Sequence, residues 1–435
     1  VSCCLLWENE FYESGEDIAS RIRRLALECS PQFVSNLAID VRNRLHLRHV
    51  PLWLLCALAK TGTGIPGLVG NTVAQTIQRP DEIPELLAQY YKANGVAIKD
   101  KGGKINKIKM PKQFKNGIAR AFTKFNEYSL DKWNKDGDIS LKYAMRGVHP
   151  KPKDEAQAQL WAKLLGKEDK ETGKSQKLKT ADTVMSALSA GKEKKTAEDK
   201  KTVFERQLRE GKIGYFALLK NLRGMVDAGV DRQLVIDALR ARKGDKGILP
   251  FRYVSAARAA PTYEPYVDEA LQHAIKSSRE LPGHTWVLVD VSGSMDASIS
   301  AKSDLSRIDA AAALASLIHG DRTVITFSNE IKVVPSRHGM AGIEAILKSQ
   351  IHSGTEMGRA IKYVNDRAKP QDRLIVITDE QSGDVVPDPV CQNAYVINVA
   401  SYRNGVSYGH GWNHIDGWSE AVIDYIHEHE ATLKL

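Results

Sequence analysis

The stretch TWVLVDVSGSM, Thr285–Met295, decides the fold. Trp286 to Val289 form a continuous apolar and β-branched run, the pattern of a strand buried on both faces of a parallel sheet. Asp290 closes the run, Ser292 and Ser294 follow at alternate positions, and Gly293 supplies the turn. Open α/β sheets bind ligands at the carboxyl ends of their strands, so one carboxylate and two hydroxyls stand at the functional edge. With no His or Cys among them, the set suits a hard divalent cation, magnesium before zinc. The plainer reading is a strand end with ordinary turn residues, and partners downstream tip the balance toward metal.

After Met295 strand and helix alternate. Ile308–Ile318 is a predicted helix, residues 323–327 (TVITF) a strand, and Glu330–Val334 a short antiparallel partner to it. Helices follow at Ala341–Ser349 and Met357–Ala368, strands at residues 373–380 and 394–400, and a closing helix at Trp418–His429. This rhythm predicts a doubly wound, mostly parallel sheet with helices on both faces. Thr355 lies on a glycine loop just before a helix, and Asp379 ends the apolar strand LIVITD. A hydroxyl and a second carboxylate from two further strand-end loops would complete an oxygen cage with Asp290, Ser292 and Ser294.

Residues 14–280 read as helix after helix. Ser14 is a predicted cap of the first, and Pro31 and Pro51 open the next ones at a first-turn position where a missing N–H does no harm. Short amphipathic helices joined by tight loops suggest stacked helix pairs, the α-solenoid logic of HEAT repeats, against the plainer reading of a compact bundle. The Leu281-Pro282-Gly283 turn marks the expected boundary, giving domains 1–280 and 281–435.

Charge follows the same division. The net charge is +9, yet residues 281–435 hold 13 Lys and Arg against 19 Asp and Glu, leaving 49 of the 62 basic and 34 of the 53 acidic residues in residues 1–280. A basic domain favours polyanions, of which nucleic acid is the commonest. Within residues 92–124, ten basic residues, among them Lys112, Lys115, Arg120 and Lys124, stand against the single acid Asp100. Phe114, Phe122, Phe125 and Tyr128 interleave with its end; most are core positions on one helical face, and one or two could stack an unpaired base.

Other readings fail on spacing. Gly173-Lys174-Ser175 lacks the P-loop's earlier glycine, with Glu168 in its place, and Asn71 stands where the glycines at 62–70 would need Lys. The cysteines, Cys3, Cys4, Cys29, Cys56 and Cys391, make no C-x-x-C pair, so reduced thiols and a cytoplasmic location are expected. No run of 18 apolar residues is present, so no membrane span is expected. The start, VSCCLLWENEFY, has no signal-peptide pattern.

The set D-V-S-G-S (290–294), S-G-T-E (353–356) and T-D-E (378–380) resembles the von Willebrand factor A domain and its metal-ion-dependent adhesion site. By that resemblance Asp290, Ser292 and Ser294 form the first loop, Thr355 the second and Asp379 the third. Ser353 and Glu356 replace the first and last residues of the common G-G-T-D, which loosens any inference about ligand. In the family the metal's open position takes a partner's carboxylate.

The helical part resembles the Ro autoantigen family, whose N-terminal part is the TROVE module. The resemblance lies in LLWENEFYESGEDIASRI, IPGLVGNTVAQTIQRPDEIPELLAQYY, MPKQFKNGIARAFTKFNEY and LKYAMRGVHPKP. The family pattern usually begins further upstream, so the start here is expected to be truncated. The resemblance implies a ring of HEAT-type repeats closed by the A domain. It further implies binding of Y-like RNAs on an outer basic face and of single-stranded 3′ ends of misfolded RNAs in a central hole. Such a protein is a non-catalytic, monomeric scaffold in RNA surveillance. Bacterial members can join a polynucleotide phosphorylase through a Y-like RNA. The positions matching the RNA-contacting region are Lys112, Lys115, Arg120, Lys124, Arg146 and His149, with Arg42, Arg44, Arg48 and His49 as weaker candidates.

The alternative is a metal-dependent protein-interaction module serving an ATPase or another acidic protein. An RNA-processing enzyme finds no support: the basic part has no paired carboxylates and no ligand-spaced histidines. His410, His414, His427 and His429 match no hydrolase motif, and residues two apart on a helix, as His427 and His429 are, point to different sides.

Overall fold

The structure is a computed structural model that describes residues 15–134, 137–168, 173–189, 196–245, 247–248, 250–277, 279–299, 305–400, 411–417 and 421–432. The chain divides into two compact units, residues 16–190 and residues 191–435.

The first unit is helical: α1 (Gly15–Glu28), α2 (Pro31–Asn43), α3 (His49–Thr61), α4 (Leu68–Thr76), α5 (Glu82–Ala93), α6 (Lys112–Phe122), α7 (Glu127–Trp133), α8 (Leu141–Val148), α9 (Glu155–Leu165) and α10 (Val184–Ser189). Ser30 accepts the Phe33 N–H and Pro31 occupies the first turn of α2, as its sequence pattern predicts. The cap expected at Ser14 lies outside the described residues. The helices stack in two rows. In one, α2 packs on α4, α4 on α6 and α6 on α8; in the other, α3 packs on α5. Helix α3 reads apolar all round, and Val50 to Ala59 are all buried between its neighbours. Between α4 and α6 the backbones nearly touch: a Cβ on Gly117 would lie 2.6 Å from Val73 Cβ and 2.8 Å from the Gly70 carbonyl oxygen.

The second unit begins with α11 (Ala197–Arg209), α12 (Tyr215–Asp227), α13 (Arg232–Ala241), α14 (Pro250–Ala259) and α15 (Glu264–Lys276). Its sheet and covering helices follow as β1 (Thr285–Asp290), α16 (Arg307–Leu317), β2 (Arg322–Phe327), β3 (Ile331–Val334), α17 (Gly339–Leu347), α18 (Met357–Asn365), β4 (Arg373–Thr378), β5 (Asn393–Asn398), β6 (Trp412–Asp416) and α19 (Ala421–Thr432). The strand order is β3-β2-β1-β4-β5-β6, all parallel except β3. Even-numbered side chains of β1, β4 and β5, such as Leu288, Val376 and Val396, pack against Met357, Ile361 and Val364 of α18. Helix α19 lies on the opposite face, where Glu430 bonds the buried Arg373.

The two-row stacking returns here and continues into the α/β part: α12 packs on α14 and α14 on α16, while α11, α13, α15 and α17 pack in succession. Arg258 of α14 binds both carboxylate oxygens of Asp309 on α16, and Asp268 of α15 accepts the Met340 N–H of α17 at 2.7 Å. Helices α11–α15 therefore belong to the same compact unit as the sheet. The sheet starts at Thr285, near the turn at 281–283, but the division between compact units falls at 190/191. Strand β6 is a further difference. WNHID is short, carries polar residues at most positions and among the described residues pairs only with β5, so it lacks the apolar run that marks the inner strands.

The glycine contact predicts opposite outcomes for two helix substitutions. Gly117→Ala should lose about 1–3 kcal/mol through overpacking. Gly147→Ala, whose Cβ would meet nothing within 4 Å, should gain about 0.5–1 kcal/mol in α8. Urea denaturation followed by circular dichroism measures both.

Candidate metal site and basic face

Strand β1 is followed in the sheet by β2 on one side and β4 on the other, so the crevice at the carboxyl ends of β1 and β4 is a topological switch point. Asp290 ends β1 and is fully buried. Its Oδ2 accepts the Thr378 hydroxyl at 2.6 Å and its Oδ1 the Ser292 N–H at 2.9 Å. Burial pushes the Asp290 carboxyl up to about 7; these hydrogen bonds oppose the shift and the neighbouring Asp379 carboxylate adds to it.

Three loops are tied together by backbone hydrogen bonds. Gly293 N–H donates to the Ser353 carbonyl at 2.9 Å, and Gly383 N–H donates to the Thr355 carbonyl at 2.8 Å. The first loop places Ser292 Oγ 3.2 Å from Ser294 Oγ. Asp379 is fully buried; its Oδ1 accepts the Gln381 N–H at 3.3 Å, whereas its Oδ2 has no hydrogen-bond partner among the described residues. A buried carboxylate oxygen with its lone pairs uncommitted is costly unless a cation uses it. Among the described residues no three His, Cys, Asp or Glu converge as a metal-holding group. The donor set is thus two carboxylates and hydroxyls, which fits a hard cation with water completing its shell.

The departures from the G-G-T-D pattern have local partners. Ser353 Oγ lies 3.2 Å from Ser328 Oγ, and Glu356 pairs with Arg359 one helical turn on. Two nearby groups were given no role by the sequence motifs. Arg307, the first residue of α16, sets Nη1 3.4 Å from the Ser294 carbonyl oxygen and 3.6 Å from Asp379 Oδ2. Glu380 is buried with φ +59, and its Oε1 lies 3.3 Å from His414 Nδ1. The histidines do not converge. His427 Nδ1 is 3.3 Å from Arg279 Nη1, His429 packs on Tyr425 and Tyr395, and His410 lies outside the described residues.

In the first unit, Lys112 and Arg120 lie on the outward side of α6, away from buried Phe114, Ile118 and Phe122, and Lys115 borders the buried face. Lys112, Arg146 and His149 are exposed, and Lys115 is half-buried. His149 ends α8 in the left-handed region, φ +52, with its N–H on the Met145 carbonyl. Arg120 donates to Asn71 Oδ1 at 2.6 Å. Lys124 is held differently: its ammonium donates to the Ala74 and Ile77 carbonyls at the end of α4, and burial lowers its pKa. The weaker candidates all face carboxylates. Arg42 meets Glu82 at 2.6 Å, Arg44 meets Asp40, Arg48 meets Asp81 and Glu85, and His49 meets Glu85. Phe114, Phe122 and Phe125 are core, while Tyr128 is 44% exposed.

No family model matches the sequence, and no curated protein matches it. Among solved structures the chain is similar to the Ro protein of Deinococcus radiodurans, with 16% identity, 92% of this chain and 90% of that chain covered, and a TM-score of 0.63. An aerotolerance-related membrane protein from Bacteroides fragilis matches with 22% identity over 27% of this chain and 67% of that chain, TM-score 0.21. The conserved hypothetical protein BatB from Bacteroides thetaiotaomicron matches with 16% identity over 35% and 100%, TM-score 0.25. Those two scores are too low to argue from. The first shows that this chain has the fold of a Ro protein: a helical domain followed by an α/β domain of the von Willebrand factor A type. That is the fold class the sequence resemblances implied.

The raised Asp290 pKa has a stability consequence. An unfolded Asp loses its proton near 4 and the folded one at about 7. Its contribution to the metal-free protein is therefore complete below about 4 and declines as pH rises to about 7. In thermal melts with a chelator, Asp290→Asn should remove that decline. In the parent protein Mg2+ should raise Tm more at pH 8 than at pH 5, because the cation takes the place of the proton.

Proposed function

We propose that this chain is a non-catalytic, Ro-type RNA-binding protein. Its basic face would hold small structured Y-like RNAs, and a central hole would take the single-stranded 3′ ends of misfolded RNAs, making it a scaffold for RNA surveillance in the cytoplasm. The observation that carries this reading is the agreement of the fold with a Ro protein across 92% of the chain, in the chain whose sequence resembles that family. The exposed side chains of Lys112, Arg146 and His149 and the half-buried Lys115 support it. Such groups contact phosphates and give affinity without sequence choice, which suits a protein that accepts many defective RNAs. Lys124, which holds the end of α4, is the weakest of the six contacts. A polynucleotide phosphorylase joined through a Y-like RNA is the partner this reading adds. Among the described residues no helix is long and apolar enough to cross a membrane.

The loops at Asp290, Ser292, Ser294, Thr355 and Asp379 would hold a divalent cation, magnesium by the hardness of the donors. Asp379 Oδ2, buried and accepting no hydrogen bond among the described residues, favours this. When bound, the ion supplies an open coordination position for an anionic group. The protein's own part is to orient the donors: Thr378 and the Ser292 N–H hold the Asp290 carboxylate, and the Ser353 carbonyl anchors the turn at Gly293. That cup also supports a second reading, a metal-dependent contact with an acidic protein such as an ATPase partner.

RNA that co-purifies with the protein, seen as absorbance at 260 nm removed by ribonuclease, separates the two. Lys112→Ala with Lys115→Ala should weaken RNA binding and reduce the slope of log K against log salt by about 1.4–1.8, two phosphate contacts' worth. Unchanged affinity and slope in a filter-binding titration would remove α6 from the RNA interface.

A further inference from the structure

The candidate cation cup already contains a positive charge. Arg307 starts α16 immediately after Ser306, whose hydroxyl and backbone close a capping box with Asp309. Its N–H donates to the Ala297 carbonyl at 2.9 Å, so the root of the side chain is fixed beside the first loop. The side chain is only 11% exposed, and its Nη1 stands 3.6 Å from Oδ2 of the fully buried Asp379. That distance is too long for a hydrogen bond but close enough to balance charge. The guanidinium thus neutralises Asp379 while leaving the lone pairs of Oδ2 uncommitted.

We propose that Arg307 is the resident counter-ion of Asp379 and opposes the divalent cation there, so that metal binding must share this carboxylate with the guanidinium or displace it. This rests on the metal reading of the five loop residues. A cation held by Asp379 would share that carboxylate with a like charge, and the repulsion would weaken its binding. With the ion in place and Arg307 still present, two carboxylates face one divalent and one monovalent cation. A guanidinium retained there would favour an anionic group at the open coordination position. Arg307 acts through Asp379 and is a positioning residue.

Isothermal titration of the full chain, stripped with chelator and titrated with Mg2+ or Mn2+, tests this. Arg307→Gln keeps length and hydrogen-bonding capacity but removes the charge, and it should bind the ion on the order of tenfold more tightly than the parent. Arg307→Lys retains the charge and should stay nearer the parent than the glutamine variant, an ordering that a merely structural role would not produce. Asp379→Asn should abolish binding. Equal or weaker binding by Arg307→Gln, or tightening by Arg307→Lys to the same extent, overturns the inference while leaving the metal site standing. Absence of binding in every protein, or binding by Asp379→Asn at the parent's affinity, overturns the metal reading and this inference with it. Far-UV circular dichroism of each variant establishes that the fold is kept.

Discussion

A helix without a solvent-facing side has to be enclosed, and α16 is such a helix: every residue from Ile308 to Leu317 is buried. Its Ala310–Ala313 run makes this possible, because small side chains let the sheet on one side and α14 on another approach closely. The rest of the second unit is arranged around this requirement. The sheet alone would leave one flank of α16 in water, and the row α12–α14 closes it. The charged groups at its start are paired for the same reason, Asp309 taking the Arg258 guanidinium together with the Ser306 N–H. An α/β sheet that would serve elsewhere as a separable module is here tied to the helices that precede it.

The same helix orients the candidate cation cup. Its first turn carries Arg307, and the segment before it returns to the Asp290 loop through the bond from Arg307 N–H to the Ala297 carbonyl. The cup is therefore held from below by parallel strands, whose ends converge because β1 and β4 are neighbours, and from the side by a helix terminus. Two buried carboxylates so close together repel, and the structure balances them with a raised proton affinity at Asp290 and a guanidinium at Asp379.

What was legible in the sequence was what periodicity and spacing encode. The strands at Trp286–Val289 and at residues 374–378 announce themselves as apolar runs because both faces are covered, and the loop residues follow at the strand ends. Strand β6 did not, because an edge strand with one neighbour has no need of an apolar run. The division at 190/191 was hidden for another reason: α14 and α15 look like any amphipathic helices, and only the three-dimensional neighbours of their apolar faces, α16 and α17, assign them to the sheet's unit. The basic residues show the limit most sharply. Lys112 and Lys124 read alike in a lysine-rich run, yet Lys124 meets the carbonyls that end α4, and nothing in its own surroundings in the chain foretells that. Arg307 was invisible for the same reason, since it matters through what the fold brings opposite it.

The near-contact of backbones at Gly70 and Gly117 gives the basic face a mechanical character. Helices separated by large side chains can slide by small rotamer changes, whereas two helices seated backbone on backbone have little room to shift. Lys112, Lys115 and Arg120 are therefore carried as the teeth of a stiff comb rather than as a charged tail. A tail must surrender its own freedom each time it meets a polyanion. A comb surrenders the freedom of its side chains but not of its backbone, which under the proposed RNA-binding reading would favour polyanions whose charges are themselves held in a rigid array.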